Sequence, residues 1–376
     1  MPRSTVEVTP SVLRWARESS GYDLEEAAKR IGANPEKLAA AEAGVVQLTL
    51  RQAENAADTY DRPLAVLFMD SPPPEEPQSA QFRQLPDAPA PPWPPGMVRM
   101  ARRIQSRQMA AIELYELVEE EPRWPTISAL LSTESASSLS DAARRILGVT
   151  LDQQFSWRDG YKALRRWTDA VEGLGILVAQ SGEVSLELMR GFASLDAVVP
   201  AVVINAQDDP RARAYTLIHE MGHLTLGARR ESVADPEGWC DEFAGNVIMP
   251  PSPLTERYLR TSGTTLERVD ALAGIFSVTP AAATVRSIRV GLLTQAEGNQ
   301  VLEEIRRRHH PRGDGGGGNY YTTQIGRVGP SFIRLVFSAL ENQALTYPMA
   351  AGLLDVKVNN FQKLRTFLDR REGATA

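Results

Sequence analysis

At 376 residues the chain is too long for one ordinary core and is expected to form two or three domains. Its 43% hydrophobic and 23% charged content is that of a soluble globular protein, and its net charge of −6 argues against a chain-wide field for nucleic acid. The single cysteine, Cys240, excludes an intrachain disulfide; with no apolar signal core at the start and no run of membrane-span length, a reducing, cytoplasmic setting and no membrane partner are expected.

The first seventy residues read as short helices over 10–19, 24–31, 35–44 and 49–60, with Gly32 closing the second and Asn34 capping the third. A helix ending in glycine, a short turn and a capped helix is helix-turn-helix grammar. The run EEAAKRIGANPEKLAAAEAG and the following LTLRQAENAADTYDRPLAVLF resemble Cro/C1-type (XRE) domains. Residues 1–70 nevertheless carry eight positive and eleven negative side chains, a net −3 that repels phosphate. Asn34, Lys37 and Gln47 are the side chains placed to read base edges. The alternative use of such a module is dimerisation, giving a homodimer, or docking of a partner.

Ten prolines between 72 and 95 predict an extended linker over 71–96. The next helix, 97–120, carries Arg99, Arg103 and Arg107 on one stripe beside Arg102; this reads as a solvated face, with a phosphate- or acid-binding strip as the sharper alternative. A polar loop over 132–140, helices near 140–147 and 161–173, and strands near 175–180, 189–193 and 197–205 follow. The β-branched run around Val198 to Ile204 suits a small sheet packed on a helix.

Residues 208–226, DDPRARAYTLIHEMGHLTL, form that helix: Asp208 or Asp209 serves as N-cap, Pro210 as its first residue, and Gly227 as its stop. His219 and His223, four apart, project from one face at the spacing that grips one Zn²⁺. Glu220 lies about 100° round the helix, placed to serve as a general base rather than a ligand. Tyr215, one turn before His219, is a candidate to hydrogen-bond a developing oxyanion. A third ligand is sought among Asp235, Glu237, Cys240, Asp241 and Glu242 on the next helix, whose core stripe is Trp239, Phe243 and Val247; Cys240 reads as a small core residue. Glu237 and Asp241 share the opposite face.

The stretch from Thr216 to Leu224, followed by Glu237, Cys240, Asp241, Phe243, Ala244 and Val247 to Pro250, resembles the ImmA/IrrE metallopeptidases. Their pattern reads T-L-x-H-E-x-G-H and then E-x-x-[AC]-N-x-F-A-x-x-L-L-M-P. The resemblance covers roughly 155–290 and implies a zinc endopeptidase with Glu237 as third ligand. Asp241 stands where the family usually has Asn, so its carboxylate either orients a ligating histidine or competes for the metal. The resemblance also implies a protein substrate of the helix-turn-helix repressor class.

Further helices are expected over 266–276, 280–290 and 295–309, then a basic run at 306–312 that includes His309 and His310, a glycine linker, and a helical tail with helices at 347–354 and 358–369. The expected fold class is α+β, mostly helical. It comprises an all-α helix-turn-helix domain (1–70), the linker (71–96), a zincin-like peptidase domain with a small β-sheet (97–290), a basic and glycine-rich connector (291–318) and a C-terminal helical domain (319–376). The rival function is a DNA-binding regulator or antitoxin-like protein whose peptidase-like domain acts as a sensor or partner clamp.

Overall fold

The computed structural model describes residues 4–74, 93–133, 138–229, 233–308 and 319–373; most of the expected proline linker, the pair His309 and His310, Arg312 and the glycine run lie outside the described residues. The fold is mostly helical α+β, and contacts divide the chain into two compact units, Met1–Arg103 and Ile104–Ala376. No single helix among the described residues is long and apolar enough to cross a membrane.

The smaller unit is built from α1 (Pro10–Ser19), α2 (Leu24–Ile31), α3 (Pro35–Glu42) and α4 (Leu50–Tyr60). Each helix start from α2 onward has a side-chain cap: Asp23, Asn34 and Thr49 accept the backbone N–H three residues on. Gly32 closes α2 in the left-handed region at φ 74°. One element is added to the all-α expectation, a two-residue antiparallel ladder between β1 (Thr5–Val6) and β2 (Leu48–Thr49). Leu13, Ile31, Leu38 and Tyr60 fill the core. Beside it the Arg17 guanidinium grips the buried Glu42 carboxylate with two bonds of 2.7 and 2.9 Å.

Three arginines of the stripe, Arg102, Arg103 and Arg107, are half-buried and bonded within the chain rather than spread as a solvated face. On the helix Pro95–Leu117, Arg102 donates to Ser20 Oγ at 3.1 Å and to the Ser19 carbonyl, and Arg103 pairs with Asp61 at 3.2 Å. In the larger unit Arg107 donates to the Arg327 carbonyl at 2.7 Å. A guanidinium with several donors on a long stem satisfies buried carbonyls, and a charge count along one helix face does not reveal that use.

The larger unit centres on a three-stranded sheet in the order β3 (Leu177–Ser181), β5 (Ala201–Asn205), β4 (Gly191–Ser194), with β5 parallel to β3 and antiparallel to β4. All five residues of β5 are buried, as a central strand covered on both faces requires. This strand begins later than the 197 expected from its valines. The Asp196 carboxylate accepts the N–H groups of Val198 and Val199 in a tight turn, and Pro200 follows it.

Across β4 and β5 lies the helix Pro210–Arg229, termed here the motif helix. Asp209 caps it, accepting the Arg211 N–H at 2.9 Å. Leu217, Ile218, Met221 and Leu224 bury its apolar side against the helices Trp124–Thr133 and Gly160–Glu172. Gly227 does not stop it: a Cβ there would stand 3.0 Å from Leu195 Cδ2, so the glycine makes room inside a helix that runs on to Arg229.

The C-terminal helices Tyr320–Val328 and Pro330–Glu341 pack on β3 within this unit. They are fastened there by Glu172, fully buried at the end of its helix, which accepts from the Ser331 N–H at 3.1 Å, Ser331 Oγ at 3.0 Å and Arg334 at 3.2 Å.

Candidate metal centre

The ligand helix, Pro236–Ile248, starts as its sequence dictates, with Asp235 Oδ1 accepting the Gly238 N–H at 2.9 Å and proline in the first turn. It buries Cys240, Phe243, Ala244, Val247 and Ile248, while Trp239 is half-buried and stacks on Phe243 at 5.4 Å. Packed tightly against it is the motif helix. A Cβ on Gly222 would lie 3.0 Å from Cys240 Sγ, so only glycine allows this close crossing without displacement of its neighbour. The crossing sets the height at which Glu237, three residues before Cys240, meets the histidines.

The three side chains converge. His219 Nε2 lies 3.3 Å from Glu237 Oε2, His223 Nε2 lies 3.4 Å from Glu237 Oε1, and the two Nε2 atoms are 3.3 Å apart. Donor atoms about 2.05 Å from a tetrahedral centre stand about 3.3 Å from one another, which is the separation of the two Nε2 atoms, and the Glu237 carboxylate turns one oxygen towards each of them. Two imidazoles and a carboxylate can hold a metal ion here, and His₂Glu is the donor set of hydrolytic zinc sites. His223 is 3% exposed and His219 half-buried, whereas Glu237 approaches from the solvent side.

The remaining candidates for the third ligand have other work. Asp235 caps its helix, Cys240 sits in the core, and Glu242 pairs with Arg286 at 2.9 Å. Asp241 Oδ1 stands 3.2 Å from His219 Nδ1. Were Nε2 to face a metal ion, Nδ1 would carry the proton and donate to this carboxylate. That hydrogen bond, aided by Arg289, holds the Asp241 carboxyl below its ordinary range.

Glu220 is 4% exposed and faces β4. A Cβ on Gly191 would stand 3.1 Å from Glu220 Oε1, 2.6 Å from Thr216 Cγ2 and 3.0 Å from the Val203 carbonyl, so the bare backbone at 191 makes the niche in which the carboxylate lies. Gly191→Ala is therefore expected to cost about 2 kcal/mol through overpacking and to displace Glu220 while zinc content is kept. A thermal melt together with metal analysis of the variant checks this.

Tyr215, the candidate oxyanion donor, reaches across to the neighbouring helix. Its hydroxyl donates to the Asp241 carbonyl at 3.1 Å, and burial, with Asp241 nearby, pushes its pKa up to about 12. The candidate base-reading residues Asn34, Lys37 and Gln47 lie in the smaller unit. Asn34 Oδ1 takes the Lys37 N–H at 2.8 Å, and Lys37 Nζ donates to Gln52 Oε1 at 2.7 Å, so both are bonded inside their own unit; Gln47 is exposed. Residues that the motif alone did not reveal are Gly191, which carries no chemical signal of its own, and Arg289, which lies almost fifty positions from its partner Asp241.

No curated protein and no solved structure matches the chain. A family model does match residues 171–287, that of the IrrE N-terminal-like domain, Peptidase_M78, and those residues contain His219, Glu220, His223, Glu237 and Asp241.

Proposed function

We propose that the chain is a zinc-dependent endopeptidase acting on a specific protein substrate of the helix-turn-helix regulator class. The observation that carries this reading is the convergence of His219, His223 and Glu237, with the two Nε2 atoms 3.3 Å apart and a Glu237 oxygen 3.3–3.4 Å from each. Zinc held by these residues would polarise a scissile carbonyl and acidify a neighbouring water. Glu220, next to His219 on the motif helix, accepts the proton of the attacking water and returns it to the leaving amine. Asp241 holds the His219 ring so that Nε2 faces the metal.

The substrate class rests on the resemblance to ImmA/IrrE peptidases and on the N-terminal unit, read as a helix-turn-helix module that pairs with a similar regulator or is itself the target. DNA recognition by that unit is the weaker reading, because Asn34 and Lys37 are already bonded and the residues up to 70 carry a net −3.

The test is metal analysis of chain purified without chelator, followed by incubation with helix-turn-helix repressors and with the chain's own first 74 residues. One zinc per chain is expected, with discrete fragments by mass spectrometry that vanish on chelation and return with zinc. Absence of stoichiometric metal sinks the reading.

A further inference from the structure

Arg289 closes a line of alternating charges between the ligand helix and the helix Pro280–Arg289. It begins at Arg286, 3% exposed, whose Nε donates to the Met249 carbonyl at 3.1 Å and whose terminal nitrogens bind Asn246 and Glu242. The second Glu242 oxygen is 3.9 Å from Arg289 Nη1, and Arg289 Nη2 donates to Asp241 Oδ2 at 2.9 Å. Asp241 Oδ1 is then left for His219 Nδ1.

An amide at position 241 would present one acceptor to His219 and would need no cation beside it. A carboxylate has two equivalent oxygens and a full charge, and Asp241 shares its helix face with Glu237. Left without a cation, it is free to rotate away from His219 or to turn an oxygen towards the metal. We infer that Arg289 is a positioning residue that locks Asp241 onto His219 Nδ1 and keeps it out of the coordination sphere. This assignment rests on the zinc reading above. It concerns a residue two positions beyond the 171–287 match.

The test uses the full-length chain stripped of metal, titrated with Zn²⁺ against a chromogenic chelator, and with Co²⁺ for its d–d spectrum. Loss of a residue that fixes a metal-binding imidazole typically weakens metal binding about 10–100-fold. Acting one bond further out, Arg289→Met is expected at the low end, about tenfold, with a changed cobalt spectrum. The metal-free melting temperature should move little, because a pair this open to solvent adds little to stability. Adding Asp241→Asn to Arg289→Met removes the carboxylate that needs holding and should restore affinity to within about threefold of wild type.

Arg289→Met with affinity within about twofold and an unchanged cobalt spectrum overturns the assignment and leaves the metal centre standing. A fall in affinity that the double variant does not recover also overturns it, since Arg289 would then support the helix rather than Asp241. A wild-type chain that binds no stoichiometric zinc overturns both this assignment and the reading beneath it.

Discussion

Glu220→Gln should retain one zinc per chain and the wild-type fold while cleaving its substrate about a thousandfold more slowly. The retention follows from geometry: the cluster that could hold a metal ion is His219, His223 and Glu237, and Glu220 is not part of it. Gln has the same shape, and an uncharged side chain costs less to bury against Gly191 and Thr216 than a carboxylate does. The loss follows from chemistry. An amide cannot accept the water's proton, and a positioned general base is worth about 10²–10⁴-fold. Fragment yield against time, with zinc content measured on the same samples, decides the matter. Equal cleavage by the two proteins would end the peptidase assignment, and loss of zinc from the variant would move Glu220 into the ligand set. The comparison also separates the rival regulator reading, in which Glu220 has no proton to carry and the substitution changes nothing.

Much of this centre was legible because its information is local. His219, Glu220 and His223 lie within five residues of one helix, whose start at Asp209 and Pro210 follows ordinary capping rules. A helical period then fixes which faces they share. The same rule puts Glu237 and Asp241 on one face of a second helix that also announces its start, and the resemblance singles out Glu237 as the third ligand. The mostly helical α+β class was likewise readable from periodicity.

What was hidden depends on long-range contact. Gly227 looks like a stop until Leu195 is seen against it, and nothing in the motif shows that the Tyr215 hydroxyl reaches the Asp241 carbonyl. Arg102, Arg103 and Arg107 look like a solvated stripe because sequence shows their common face and not the carbonyls and carboxylate they bind. The helices Trp124–Thr133 and Pro251–Arg260 went unread for a local reason: prolines sit in the first turn of each, where they also punctuate loops. The chemistry of a site survives in short motifs, whereas the positioning of its ligands is distributed over partners that only the fold assembles.

The second large effect comes from a buried carboxyl outside the histidine and glutamate cluster. Stability of the larger unit is expected to fall by on the order of 2 kcal/mol between about pH 5 and about pH 8 because of Glu172 alone. Burial raises its pKa from 4.5 to about 7; Arg334, Arg371 and the two Ser331 donors pull the other way but do not cancel the loss of water. For a carboxyl whose folded pKa lies above its unfolded value, the protonated form favours the fold. That contribution is complete below pH 4.5, shrinks as the pH climbs, and is gone above about 7. Glu172 joins the end of the helix Gly160–Glu172 to the start of Pro330–Glu341, so the charge is carried where the C-terminal helices dock on β3. Glu172→Gln keeps an oxygen for Ser331, releases the half-exposed Arg334 to solvent and removes the titration. Urea titrations of the full chain at the two pH values, followed by hydrogen exchange in peptides covering 330–341, should show a steeper loss with rising pH for wild type than for the variant. Identical pH dependence in the two proteins would mean that Glu172 stays ionised throughout, with the Arg334 and Ser331 bonds outweighing the cost of its burial.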